Sequence, residues 1–302
     1  MTEQKWGPSL DTDVEPWVAR MPGLGTVLVA ADGGLEVRLE EDLPLPGGEL
    51  RVDSDEQKEA ALRHGWGEPL SLARRGFRLA GGAGVVAPGD GPCLILAGDP
   101  HDAAAVLLAL AHRGWRILAD RVTPVEWVGD LLFAHPRQAP ILAAKRRLAK
   151  SGDSGERVRA DSDSRSVDLA RESAAQPVAG IVVLQQRKPD EEVLMPLAGH
   201  ERFESAANLL VGGLLGAARQ RADAVGNEGA GQPGEGDAAD GDRDAAADAL
   251  AEHLRLAALP MARLRLDSAT WDDDVTGLVR WSESLGARPA GTAPGQPGAP
   301  PR

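Results

Sequence analysis

The sequence predicts an α/β fold with a mostly parallel sheet flanked by helices and an N-terminal β-hairpin region, and three observations lead there. Pro92-Cys-Leu-Ile-Leu-Ala97 is a short apolar run suited to a strand buried on both faces. Gly98 breaks that run, a helix-compatible stretch follows from Pro100 to Arg113, Gly114 ends it, and Trp115-Arg-Ile-Leu-Ala119 begins another strand. Strand, helix and strand at this length make a βαβ unit, whose strands run parallel. Upstream, Thr26-Val-Leu-Val-Ala30 and the strictly alternating Leu35-Glu-Val-Arg-Leu39 flank Asp32-Gly33-Gly34, which is a hairpin signal.

The remaining elements follow in order. Residues 1–20 are expected to form a disordered tail. A helix-compatible stretch from Ser54 to His64 is expected to end at Gly65-Trp66-Gly67, and strands are expected near Phe77–Leu79 and Val85–Ala87. From Ser151 to Gln176 the composition shifts to Ser, Asp, Arg and Gly, too little apolar surface to order a segment, so 151–176 is expected to be a disordered insertion. Pro177–Leu184 is a strand and Phe203–Ala224 a helix. Residues 225–244, rich in Gly and Asp, form a second disordered insertion, resembling a solvated linker. A helix near Ala245–Ala258, a strand over Met261–Leu266 and a last helix from Asp272 to Leu285 complete a domain over 21–286. Residues 287–302, a Pro/Gly/Ala tail, are expected to be disordered. No internal repeat is found.

Bulk properties exclude several function classes. Of the 302 residues 42% are hydrophobic but only 3% aromatic, with no Tyr, so the core must be aliphatic. A net charge of -13 repels nucleic acid and anionic lipid, whose binding depends on Lys and Arg neutralising phosphates. Neither nucleic acid nor membrane is an expected partner. The lone Cys93 forms no internal disulfide and no thiolate cluster, and it is expected to be a small buried hydrophobe. The polar, acidic start and the absence of a long apolar run lead to a cytoplasmic expectation.

The segment from Gly89 to Gly98, the helical stretch Val106–His112 and the run Arg113-Gly-Trp-Arg-Ile-Leu-Ala-Asp120 resemble the core of the HPr kinase/phosphorylase C-terminal domain, a P-loop family. In that family a strand leads into a G-x-S-G-x-G-K-S/T loop, a helix ends in Arg-Gly, and the next strand ends in paired Asp residues followed by Val-x-Pro. Here that strand end is Asp120-Arg121-Val122-Thr123-Pro124. Leu132–Arg137 resembles the family's post-strand hairpin, Gly180–Leu184 a later strand, and Leu259–Leu264 the strand before the closing helix. The likeness covers Leu24 to Leu285 and rests on the order of elements.

The resemblance implies a phosphate loop, and this chain departs from the family at three functional points, the loop Lys, the second strand-end Asp and the preceding His, while Asp120 matches the first strand-end Asp. Such a loop works through backbone N–H groups at a helix N-terminus, a Lys on the β/γ-phosphates and a Ser/Thr on Mg²⁺. The chain offers Gly98-Asp-Pro-His-Asp-Ala-Ala-Ala-Val106, with Ala104 at the Lys position counted from Gly98 and Ala103 counted back from Gly114. Gly98, Asp99, His101, Asp102 and Ala104 thus outline a degenerate nucleotide-binding loop. As a helix start they fit well: Asp99 as N-cap, Pro100 as first helical residue and Asp102 at the dipole's positive end. Arg121 replaces the second Asp of the strand-end pair and cannot serve as a base at neutral pH. The family's His in the preceding strand falls near Ala80 or Gly81.

The function expected on these grounds is a catalytically inactive, HPr-kinase-like protein, a pseudokinase acting as a regulatory or binding subunit for a protein or peptide partner, with no cofactor and with a possible homo-oligomeric state. Two alternatives stand beside it. One is an ATP- and Mg-dependent serine kinase or phosphorylase with an unorthodox loop, in which Asp120 is the catalytic candidate. The other is a metal-dependent phosphohydrolase using Asp99, His101, Asp102 and Asp120, with Asp120 as the candidate metal ligand. The basic cluster Lys145-Arg-Arg147 with Lys150 could contact an acidic partner, and Trp115 and Trp127 are expected in the core.

Overall fold

The computed structural model describes residues 16–21, 25–30, 32–39, 59–60, 62–137, 141–144, 164–167, 169–188, 191–210, 237–267 and 271–285. Along the chain run β1 (Trp17–Met21), β2 (Gly25–Val29), β3 (Leu35–Leu39), a π-helical turn (Arg63–Gly67), α1 (Glu68–Arg74), β4 (Arg78–Gly81), β5 (Ala83–Val86) and β6 (Cys93–Ala97). Then come α2 (Pro100–His112), β7 (Arg116–Ala119), β8 (Val122–Val128), β9 (Leu131–Ala134), β10 (Ile141–Ala144), β11 (Ser164–Val167) and β12 (Gln176–Gln186). The series closes with β13 (Leu194–Pro196), α3 (Gly199–Leu209), α4 (Asp237–Ala258), β14 (Met261–Leu266) and α5 (Trp271–Ser284). The chain divides into two compact units, one of Met1–Ala80, Pro124–Glu126 and Leu210–Ala249, the other of Gly81–Thr123, Trp127–Leu209 and Leu250–Arg302.

In the first unit β1, β2 and β3 form an antiparallel sheet in which Val29 faces both Trp17 and Leu35. The alternation of β2 sends Val27 and Val29 inward against Leu62 and Leu70. The helix expected to stop at Gly65-Trp66-Gly67 is instead carried through these residues as a π-helical turn and continues as α1. Pro69 supplies the reason, because its missing N–H and its ring disturb the bond to the residue four back, and a widened turn absorbs this. Gly67 lies so close to β3 that a Cβ there would sit 2.6 Å from Leu35 Cδ1, so glycine marks a close approach and not a helix end. Arg74 then donates to the Val29 carbonyl at 2.9 Å and stacks 5.3 Å from the Trp17 ring centre, tying α1 to the sheet.

The second unit holds a sheet in the order β9-β12-β6-β5-β7, extended by β14 on β12 and by β13 on β14. The fold is mixed α/β, as expected, with five α-helices among the described residues, but the sheet is mostly antiparallel and not mostly parallel. Among the described pairings β12 with β6 and β12 with β14 run parallel, as does the isolated Ile117–Arg171 bridge; β5 with β6, β5 with β7, β9 with β12 and β13 with β14 are antiparallel. The reason lies in the Pro88-Gly-Asp-Gly91 turn, closed by the Ala87 N–H on the Pro92 carbonyl at 3.1 Å. So short a connection makes β5 an antiparallel neighbour of β6, and the β6-α2-β7 crossover must step over it.

Helix α2 is buried on both sides. Ala103, Val106, Leu107, Ala109 and Leu110 pack into the main core with Leu94, Leu96, Val182, Leu264 and, from α5, Val275 and Leu278. Ala104 and Leu108 turn the other way, toward Leu169. Each Leu fully removed from water contributes about 1.5–3 kcal/mol. The helix ends where the sequence places its end: Trp115 N–H donates to the Leu110 carbonyl and Gly114 N–H to the Ala111 carbonyl, a Schellman closure.

Three segments expected to be disordered contain described structure. β1 begins at Trp17, inside 1–20; β11 and residues 169–176 lie inside 151–176; and α4 begins at Asp237, inside 225–244. Leu169 explains the second case, since it packs on α2. The Lys145-Arg-Arg147 cluster, Lys150 and the tail 287–302 lie outside the described residues, as do 211–224 of the helix expected to reach Ala224. Among the described residues no helix is long and apolar enough to cross a membrane.

Candidate functional site

The register of the sheet fixes where the expected loop and strand end stand. Ile95 of β6 and Ala119 of β7 both flank Gly84 of β5, so Gly98 and Asp120 leave the sheet at the same edge, on strands separated by β5. At the loop, Gly98 has φ +144°, and a Cβ there would lie 2.8 Å from the Leu184 carbonyl oxygen of β12. Glycine is required by that contact, whatever the loop binds. Asp99 accepts the Asp102 N–H on Oδ1 at 3.3 Å, and its carbonyl accepts the Ala103 N–H at 2.9 Å. That is an N-cap with Pro100 in the first helical position and Asp102, 5% exposed, in the third.

Both alanines that could stand at the family's Lys position face into packing and not toward the sheet edge. Ala103 is in the main core and Ala104 lies against Leu108 and Leu169. A longer side chain at either would have to displace buried neighbours. The His101 backbone is in the first turn of the helix, after Pro100, and its side chain lies outside the described ones.

Asp120 is the unusual group. It is 2% exposed and its Oδ1 has no hydrogen-bond partner. Burial raises its pKa above the usual carboxylate range, and the guanidinium groups of Arg121, Arg137 and Arg171 oppose that rise. Arg121 Nε stands 3.7 Å from Oδ2. Arg121 has φ +60°, and the Val122 N–H closes on the Asp120 carbonyl at 2.6 Å, a tight three-residue turn of the strained hand. Arg137 Nη1 donates to the Asp120 carbonyl at 3.3 Å, and Arg171 Nη1 to the Arg137 carbonyl at 3.2 Å.

Arg137, Arg171 and Glu172 carry no motif, and sequence reading assigned them no part in the site. Arg171 and Glu172 fall in the segment expected to be disordered. The Ile117 N–H donates to Ala170 and the Glu172 N–H donates to Ile117, so this stretch runs along β7 as an edge. Glu172 pairs with Arg116 at 2.9 Å. Burial, and secondarily the Glu172 carboxylate, pushes the Cys93 thiol up to about 12, so Cys93 is a packed hydrophobe without thiolate character.

Among the described residues no group of three His, Cys, Asp or Glu is placed to hold a metal ion, and the His101 side chain, the fourth member of the expected set, lies outside them. Asp99 is engaged in the cap, and Asp120 in its arginine surround.

No protein-family model matches the chain and no curated protein matches it. Among solved structures, the HPr(Ser) kinase/phosphatase from Coxiella burnetii is similar to it, at 14% identity and a TM-score of 0.27, over 39% of this chain and 76% of that one. A likeness this weak assigns no role to any residue.

Proposed function

We propose that the chain is a catalytically inactive, HPr-kinase-like protein that serves as a binding or regulatory subunit for a protein or peptide partner, with a degenerate phosphate loop and no nucleotide requirement. One observation carries the reading: the helix start that would receive a phosphate is closed by its own acidic cap. The Asp102 N–H is taken by Asp99, two carboxylates stand at the dipole's positive end, and Ala103 and Ala104 are buried where a Lys would be needed. Two acids near a triphosphate would each oppose it by roughly 1–4 kcal/mol per unit charge.

Asp120 favours the enzyme alternative, an ATP- and Mg-dependent serine kinase or phosphorylase, because a buried carboxyl with a raised pKa is the kind of group that catalysis uses. Calorimetric titration of the full chain with ATP and Mg²⁺ separates the two. The binding-subunit reading expects no saturable heat; binding in the micromolar range, weakened by Asp120→Asn, would establish the alternative.

A further inference from the structure

We draw no further inference here: the strongest candidate, the cluster at the end of β7 in which Arg121, Arg137 and Arg171 face the buried Asp120 carboxyl, belongs to the site already described.

Discussion

Replacing Asp99 tests whether the helix start is a cap. The Asp99 Oδ1 to Asp102 N–H bond is 3.3 Å, at the long end for such bonds, which puts the loss on removing it in the lower half of the capping range, about 0.5–1 kcal/mol. Losing the negative charge at the dipole's positive end adds about 0.3–1 kcal/mol. Asp99→Ala should therefore cost about 1–2 kcal/mol, a fall in Tm of roughly 3–6 °C for a domain of this size. Asp99→Ser keeps an oxygen acceptor and gives up only the charge, so it should lose only about 0.3–1 kcal/mol. Differential scanning calorimetry of the three proteins at neutral pH and low salt reads both differences. An unchanged Tm for Asp99→Ala would refute the cap, and so would a serine variant as unstable as the alanine one.

Gly98→Ala places a Cβ 2.8 Å from the Leu184 carbonyl at a φ of +144°, and urea unfolding should show a loss of about 1–3 kcal/mol; wild-type stability would mean the glycine is there for another reason. Leu107→Ala in the fully buried middle of α2 should cost about 2–5 kcal/mol by the same measurement, and less than about 1 would place α2 outside the core. For Asp120 the sign follows from its raised pKa: the folded state holds the proton more tightly than the unfolded chain, so stability is greatest below the ordinary carboxylate range and falls as pH rises through the folded value. Asp120→Asn should flatten that fall, whose slope cannot exceed about 1.4 kcal/mol per pH unit, and should melt higher than wild type at neutral pH. Parallel pH profiles of the two proteins would contradict this.

The features legible in the sequence were those whose cause is local. Gly114 ends α2 because the Schellman bonds span only Leu110 to Trp115, and Asp32-Gly33-Gly34 makes a hairpin because the turn holds its own bonds, such as Gly34 N–H on Asp32 Oδ1 at 2.7 Å. The cap at Asp99 was legible for the same reason. What escaped was set by partners far along the chain. Gly67 reads as a helix stop until Leu35 is seen against it, and β5 reads as one more strand until the turn at Pro88–Gly91 inserts it between β6 and β7. Residues 169–176 read as unstructured because their composition is polar, yet Leu169 and Ala170 have partners on α2 and β7 that no local window contains. The arginines around Asp120 come from positions 121, 137 and 171, a spacing that no motif encodes.

The two halves of the candidate site differ in what folding alone accounts for. Every loop residue described has a structural cause: Gly98 clears Leu184, Asp99 caps, Pro100 starts the helix, Asp102 suits the dipole, and Ala103 and Ala104 pack. None needs a ligand to explain it. Asp120 and Arg121 are the reverse case, since a carboxyl buried with an unbonded oxygen and a left-handed arginine each make the fold less stable. Groups held against stability are where function concentrates. If the chain retains any chemistry it therefore resides at the end of β7, and the loop variants and Asp120→Asn should part company: the former less stable, the latter more stable, with activity or partner binding changed only in the latter. A chain whose binding function lies wholly elsewhere would show Asp120→Asn gaining stability while losing nothing.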